Sequence, residues 1–191
     1  YSYAGVTIAP TGTLSAQGLR TRGWVKALRF NDRAEGGLMD AEIHAVGAEA
    51  EVGWQFVGPE WRFALYFGGA WRDEADRGNR FGVALAAEGA IEISGRWRAI
   101  ADVKYTARFN ELWAQLRPEF KVDDGLYVGV VSSASKGRGF SIVRGGASVG
   151  GFSYAVPWLG DVYVSVEAGM EYNITTKNNG PFGALHVGFA Y

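Results

Sequence analysis

Cysteine is absent from the 191-residue chain, and histidine occurs twice. Without cysteine the protein can form neither a disulfide scaffold nor a thiolate-bound zinc or iron–sulfur centre. Nineteen basic residues nearly balance twenty acidic ones, so the net charge creates no field that would attract nucleic acid. The longest uncharged stretch, 145–160, is interrupted by Gly, Ser and Pro, and it falls short of the roughly 18–20 apolar residues of a membrane-spanning helix.

Glycine and aromatic residues are abundant, with 28 Gly, 7 Trp, 9 Tyr and 11 Phe. This combination is typical of twisted, curved sheets with aromatic rings at an interface. The chain shows no linker and no low-complexity tract, so we expect one domain over residues 1–191. It opens at Tyr1 without a methionine or a signal peptide, as a processed or trimmed product would.

Apolar and polar residues alternate over long segments of the chain. In 97–109 every second residue from Trp97 to Phe109 is apolar, and Arg98, Asp102 and Lys104 lie on the other parity. A period of two over this length predicts a strand and fits no helix. We predict strands near 2–8, 18–30, 41–57, 61–72, 81–93, 97–109, 112–122, 126–134, 139–155, 161–173 and 182–191. The parity changes within the third strand, and a bulge near Val46–Gly47 would reconcile it.

The positions of the largest apolar residues favour a membrane barrel over a soluble two-sheet sandwich, which would show the same alternation. Trp61 and Trp71 bracket the apolar parity of one strand, whereas a sandwich core would have its bulk in the middle. Ten residues at about 3.3 Å each, tilted by roughly 40°, cover about 25 Å, the height of the apolar band between aromatic girdles. The predicted girdle consists of Trp61, Trp71, Trp97, Tyr105, Phe109 and Tyr172.

The predicted fold is therefore all-β, a transmembrane antiparallel up-and-down barrel of 10–12 strands. Our count is eleven, whereas bacterial single-chain barrels close with an even number, so twelve is favoured if an N-terminal strand ahead of Tyr1 is missing. Connections such as 58–60, 94–96 and 123–125 are short, while 31–40, 73–80 and 175–181 are longer and more polar. Short turns of such barrels lie in the periplasm and longer loops outside.

The C-terminal segment carries Leu185, Val187, Phe189 and Tyr191 on one parity. An apolar face that ends in an aromatic residue resembles the terminal strand of bacterial outer-membrane barrels. The resemblance implies recognition by the barrel assembly machinery, with Phe189 and Tyr191 as the assembly signal. It also implies residence in the Gram-negative outer membrane, in contact with membrane lipid and lipopolysaccharide.

If the apolar parity faces lipid, the polar parity lines the barrel interior. An Arg or Lys at mid-depth on the lipid face would cost about 2–4 kcal/mol, which forces this assignment. We expect either a network of ion pairs that plugs a narrow barrel, which we favour, or a water-filled lumen. The predicted interior charges are Arg20, Arg22, Glu42, His44, Glu49, Glu51, Arg62, Glu88, Glu92, Arg98, Asp102, Lys104, Arg108, Arg117, Glu119, Lys121, Glu167 and Glu171, with Lys26 and Arg72 on the same parity.

Signals for catalysis are weak. His44 and His186 both fall on the polar parity, and no serine spacing around either resembles the outer-membrane phospholipase or the lipid A deacylase. The carboxylate pairs Glu49/Glu51 and Glu88/Glu92 lie where ordinary members of an ion-pair network would also lie. We therefore expect no catalytic residue, no metal site and no cofactor.

The N-terminal quarter carries three short motifs: Tyr1-Ser2-Tyr3-Ala4-Gly5, then Ala9-Pro10-Thr11-Gly12, then Gly18-Leu19-Arg20-Thr21-Arg22-Gly23-Trp24. Together they resemble the cellulose biosynthesis protein BcsS family of outer-membrane barrels. The resemblance implies a further strand ahead of the first motif. It also implies a link to exopolysaccharide export. Together with the strand pattern, it makes a non-enzymatic structural or accessory protein of cellulose secretion our leading hypothesis, with polysaccharide-secretion components or other barrels as the expected partners. The alternatives are a small porin with a charged lumen and, less favoured, a lipid-modifying enzyme of the outer membrane.

Overall fold

The computed structural model of the chain describes residues 2–10, 13–33, 40–74, 78–137, 140–156 and 160–190. These residues form a closed barrel of eleven strands and contain no α-helix, which confirms the all-β prediction. No helix among them is long and apolar enough to cross a membrane. The strands are β1 Ser2–Ala9, β2 Gly18–Arg33, β3 Asp40–Val57, β4 Trp61–Glu74, β5 Gly78–Ser94, β6 Trp97–Thr106, β7 Glu111–Asp123, β8 Leu126–Gly137, β9 Phe140–Val156, β10 Gly160–Asn173 and β11 Asn178–Ala190.

The barrel closes through a parallel pair. Each strand is antiparallel to the next along the chain, and β1 then pairs with β11 in parallel, from Ser2 opposite Gly183 to Ala9 opposite Ala190. Eleven strands in up-and-down order alternate in direction, so the first and the last run the same way. The expectation of a wholly antiparallel barrel is therefore wrong at this seam, although the strand number lies within the predicted 10–12. The strand ahead of Tyr1 concerns sequence outside this chain and stays a prediction.

Several strands are longer than the apolar alternation predicts. β2 has 16 residues and β3 has 18, and their pairing continues to Arg33 opposite Asp40. β4 and β5 likewise pair as far as Glu74 opposite Gly78. Backbone pairing does not need apolar side chains, so the ladders extend into polar sequence and shorten the connections predicted as loops. We call the end of the barrel at which β1, β3, β5, β7 and β9 end the turn end, and the opposite end the loop end.

The predicted bulge at Val46–Gly47 is wrong. Both residues pair without a register shift, with Val46 opposite Ala27 on one side and Gly47 opposite Arg72 on the other. Ala45 is simply a small apolar residue that faces the interior and is buried there. The β2–β3 and β3–β4 ladders are therefore regular where the change of parity suggested an extra residue.

A bulge does occur at Gly151 in β9. Gly150 pairs with Ser165 and Phe152 pairs with Val164, so Gly151 is the additional residue. Its φ of +88° lies in the left-handed region that favours glycine. A Cβ at this position would also overlap the carbonyl oxygen of Gly125, in the β7–β8 turn. The bulge therefore requires glycine both for its backbone conformation and for the close approach of the neighbouring turn.

Polar side chains face the interior of the barrel and apolar side chains face outward, which is the reverse of the arrangement in a soluble protein. Charged residues such as Arg22, Glu119 and Glu167 are buried inside. Large apolar residues face outward, and Phe67 and Val130, for example, are 58% and 63% exposed. A two-sheet sandwich is excluded by the closed ladder of strands.

Outward aromatic residues lie near both ends of the barrel. Trp61 and Trp97 are exposed at the turn end, and Tyr105 and Tyr172 are exposed at the loop end. Trp71 is partly exposed near the loop end, where its indole Nε1 donates a hydrogen bond to Asn79 Oδ1 at 3.0 Å. Five of the six predicted girdle residues thus lie on the outer surface.

Phe109 is the exception, and its assignment to the girdle is wrong. β6 ends at Thr106, and Ala107–Phe109 form a 3-10 helix that is followed by Asn110 in the left-handed conformation. This turn directs the ring of Phe109 inward, where it is buried against Ala70 and Ala84. The guanidinium of Arg72 lies 4.3 Å from the ring centroid.

Candidate functional site

The barrel interior holds most of the predicted charged residues, at different depths. Glu42 and His44 have side chains that lie outside the described part of the structure. Of the others, Glu92 and Arg108 are exposed near the barrel ends. The buried ones are Arg20, Arg22, Glu49, Glu51, Lys104, Glu119 and Glu167, and the half-buried ones are Arg62, Glu88, Arg98, Asp102, Arg117, Lys121 and Glu171. Lys26 and Arg72 are also buried inside.

Arg22 is the centre of one ion-pair cluster. Its Nε bonds Glu51 on the neighbouring strand β3, and its Nη1 lies 3.4 Å from Glu88 and 3.3 Å from Asp102 on β5 and β6. Tyr66 lies beneath the guanidinium, with its ring centroid 3.9 Å from the central carbon. One side chain from β2 therefore reaches across the interior to the strands on the other side, and it occupies the middle of the lumen.

A second cluster fills the interior toward the loop end. Glu49 accepts bonds from Lys26 Nζ and Lys104 Nζ, both at 2.5 Å, so one carboxylate is shared by amines from β2 and β6. Next to it, Arg72 on β4 bonds Glu111 at the start of β7. All of these side chains are largely removed from solvent, and each described charge has an opposite partner as buried charges require.

Glu167 on β10 organises the third cluster. Its Oε1 lies 2.6 Å from Arg117 Nη1 and 3.3 Å from His186 Nε2, and its Oε2 accepts bonds from Tyr3 and Gln115. The side chain of Glu167 is fully buried. It thereby connects β10 with β1, β7 and β11, including both strands of the parallel seam.

Arginine side chains continue this cluster toward the turn end. Arg117 Nε lies 2.8 Å from Glu119, and Arg98 Nε lies 2.6 Å from the other oxygen of the same carboxylate. The guanidinium of Arg98 also stacks on Tyr127, 3.4 Å from its ring centroid. On the far side of β10, Arg144 pairs with Glu171 at 3.0 Å. The three clusters and their extensions link strands that are not neighbours in the sheet.

Residues 13–16, from the β1–β2 connection, fold against the inner wall at the turn end of the barrel, and we call this segment the plug. Arg20 donates hydrogen bonds to the carbonyl oxygens of Thr13, at 3.0 Å, and Ala16. Gln55 Nε2 donates to the carbonyl oxygens of Leu14 and Ala16, at 3.0 and 2.9 Å. Both anchoring side chains are buried on the inner wall. The plug is therefore held by side chains from β2 and β3.

Between the plug and the Arg22 cluster lies a cavity of about 290 Å³. Plug residues Leu14 and Ser15 line one side, and residues from most strands of the barrel line the others. Its wall combines guanidinium and carboxylate groups with the rings of Trp24, Tyr66 and Tyr163. The cavity has room for a small polar molecule.

A comparison with known protein families identifies the family of this barrel. Residues 1–190 match the model of the family described as cellulose biosynthesis protein BcsS. The chain belongs to the BcsS family. No curated protein matches the chain. The match covers all eleven strands, so the plug, the ion-pair clusters and the cavity all lie within the BcsS-family domain.

The described contacts inside this BcsS-family barrel are ion pairs, hydrogen bonds and ring contacts. Among the described residues, no group of three or more His, Cys, Asp and Glu side chains is arranged to hold a metal ion. His186 Nε2 faces Glu167, and its ring stacks edge-on against Trp24 and Tyr3 at centroid distances of 5.4 Å. These contacts assign His186 to a packed cluster around a carboxylate.

Several interior residues of the BcsS-family barrel are missing from the sequence-based list. Glu111 falls between the predicted strands 97–109 and 112–122, and Arg144 lies in a glycine-rich strand whose parity is hard to follow because of the bulge at Gly151. The inward plug and its anchor Gln55 carried no recognisable motif. Interior aromatic residues, including Trp24 and Tyr66, are also missing from the list, because the list contains charged residues only. Their position on the polar parity is the signal that would have identified them as interior residues.

Proposed function

We propose that the protein is an outer-membrane β-barrel that serves cellulose secretion as a non-enzymatic structural or accessory component. The membership in the BcsS family supports the link to cellulose biosynthesis. The observation that carries the membrane location is the inverted distribution of side chains, with charges buried inside the barrel and large apolar residues on its outer surface.

The outer surface is suited to lipid in energy as well as in composition. Transfer of a Val, Leu or Phe side chain out of water is favourable by about 1.5–3 kcal/mol in free energy. The central part of the outer wall carries Leu65, Phe67, Leu85 and Val130. Water around this wall would leave that free energy unrealised, and large exposed apolar patches are rare on soluble monomers. Aromatic residues near both ends match the girdles of membrane barrels.

The direction of the chain gives an orientation for the barrel. β11 runs toward the turn end, where the hairpins 95–96 and 124–125 consist of two residues each. Barrels of this class place their short turns in the periplasm. We therefore propose that the turn end, with the plug, faces the periplasm and that the loop end faces outward.

The filled interior supports an accessory role over that of a porin. The Arg22, Glu49 and Glu167 clusters each join strands across the lumen. The plug narrows the turn end further. A wide aqueous passage would need these side chains to be displaced, at the cost of separating buried charges.

Two measurements test the proposal. Fractionation of a cellulose-producing Gram-negative host should place the protein with the outer membrane, and loss of the protein should reduce surface cellulose while synthase activity in inner-membrane vesicles is retained. Planar-bilayer recording of the purified protein should show little conductance. Recovery in the aqueous fraction would contradict the membrane location, and a large, stable conductance would favour the small porin instead.

A further inference from the structure

The cavity beneath the plug contains polar groups that the ion-pair clusters leave unused. Arg62 lines the cavity and makes no hydrogen bond or ion pair with another described residue. Five buried atoms on cavity-lining side chains likewise have no hydrogen-bond partner among the described residues: Arg20 Nε, Trp24 Nε1, Asp102 Oδ1, Arg117 Nε and His186 Nε2. The last two lie within ion-pair distance of Glu119 and Glu167, so the first three atoms are left without any partner among those residues. Arg20 is 1% exposed, so bulk water does not satisfy it. Buried donors and acceptors without partners are costly, and here they share one cavity.

The charges around the cavity select against a strongly charged ligand. The wall carries the guanidinium groups of Arg20, Arg62, Arg98 and Arg117, and it also carries the carboxylates of Glu88, Asp102 and Glu119. An anion would meet the carboxylates and a cation would meet the guanidinium groups. A neutral molecule with several hydroxyl groups can accept bonds from the first and donate bonds to the second, because each hydroxyl is both donor and acceptor.

The remaining wall and the size of the cavity suit a sugar ring. Trp24, Tyr66 and Tyr163 present aromatic surface among the polar groups, and the apolar C–H face of a pyranose packs on such rings. The volume of about 290 Å³ lies near the lower limit of small-molecule sites, which is about 300 Å³. Aromatic surface combined with interleaved donors and acceptors is therefore matched to one or two hexose units.

We propose that this cavity binds one or two hexose units of a neutral oligosaccharide, with the guanidinium of Arg62 donating hydrogen bonds to its hydroxyl groups. Leu14 and Ser15 of the plug line the cavity toward the turn end, so a bound ligand would lie against the plug. This inference rests on the proposed role in cellulose secretion, because it names the ligand class that such a barrel would meet.

The test is calorimetric titration of the complete protein in detergent micelles with cellobiose and cellotriose as probes. We expect saturable binding with one site per chain. Arg62→Met should weaken it at least tenfold, since it removes the unpaired guanidinium and disturbs no described contact. Arg96→Met is the matched control, because Arg96 lies exposed in the β5–β6 turn at the same barrel end and does not line the cavity, so its affinity should equal that of the wild type.

Ser165→Leu provides a second variant, which fills the cavity from β10 and should abolish binding. Circular dichroism and thermal unfolding of each variant should match the wild type before its titration is interpreted. The proposal is overturned if millimolar cellobiose and cellotriose give no binding, or if Arg62→Met and Ser165→Leu bind as well as Arg96→Met. Binding of glucuronate or inorganic phosphate in place of cellobiose would overturn the neutral ligand class.

The outcome separates this site from the proposed function. A protein that resides in the outer membrane and sustains surface cellulose, but binds neither probe, overturns the sugar site alone. A protein that binds cellobiose with the expected dependence on Arg62 but is absent from the outer membrane overturns the proposed location alone.

Discussion

Replacing Glu167 by glutamine should destabilise the barrel strongly, because this carboxylate joins four groups from three other strands. Arg117, His186, Tyr3 and Gln115 all lie within 3.3 Å of its oxygens. The substitution keeps the shape and one carbonyl acceptor but removes the charge that pairs with Arg117. Hydrogen bonds to charged groups contribute about 1.5–3 kcal/mol each, so we expect a loss of about 2–3 kcal/mol in the free energy of unfolding.

Glu171→Gln is the matched control on the same strand. Glu171 pairs with Arg144 at 3.0 Å, and its side chain keeps 17% of its exposure, so water compensates part of the loss. We expect about 1 kcal/mol or less for this variant. Urea titration of protein refolded into lipid vesicles, followed by tryptophan fluorescence, measures both differences through the shift of the midpoint.

The result that would refute this argument is equally definite. If Glu167→Gln unfolds within about 0.5 kcal/mol of the wild type, or if Glu171→Gln costs as much, the Glu167 cluster does not stabilise the barrel in the way proposed. A large change in the slope of the urea titration would instead indicate that the substitution alters the unfolded or the folded state. Glu167→Asp, which keeps the charge, would then replace Glu167→Gln in the comparison of midpoints.

Three further predictions follow from the outer wall, the strand packing and the plug. Leu85→Arg, at the middle of the outer face of β5, should lower the free energy of unfolding in vesicles by about 2–4 kcal/mol. Phe81→Arg lies level with the loop-end aromatic residues and should lower it by about 1 kcal/mol or less. Equal losses for the two variants in urea titrations would contradict the depth assignment. Gly68→Ala should lower the free energy of unfolding by about 1–3 kcal/mol because its Cβ would overlap the carbonyl oxygen of Ala50, while the adjacent Gly69→Ala has open space and should be neutral. Arg20→Ala should lower the free energy of unfolding by about 1–3 kcal/mol, because it removes a charged donor that holds the carbonyl oxygens of the plug, and an unchanged urea midpoint would show that these hydrogen bonds do not stabilise the barrel.

Much of the fold could be predicted from the sequence because strand alternation leaves a direct record in residue parity. The strand from Trp97 and the strand ending at Asn173 are recognisable because every second residue in them is apolar. Strand ends were less predictable, since β-ladder pairing continues through polar residues such as Arg33 and Asp40. The parallel seam between β1 and β11 depends on closure of the entire barrel, which no local pattern encodes.

The interior was predictable as a set of charges but not as a site. Parity identifies Arg22 and Glu167 as interior residues, yet which carboxylate pairs with which cation depends on tilt and register across the lumen. The plug escaped prediction because its contacts are backbone carbonyls accepting from Arg20 and Gln55, and backbone carbonyls are present in every loop. Phe109 was misassigned because one turn of 3-10 helix reverses the direction that strand parity gives to a side chain.

The measurement that tests the central claim most directly is the location of β8 side chains relative to lipid. Because the chain has no cysteine, single cysteines at Val130 and Ser133 can carry a small fluorophore at neighbouring positions on opposite faces of the barrel wall. In vesicles containing lipids with brominated acyl chains, the label at Val130→Cys should be strongly quenched and the label at Ser133→Cys should not. Equal quenching at both positions, or quenching of the Val130 label by aqueous iodide in place of the brominated lipid, would contradict an outer wall that faces the membrane.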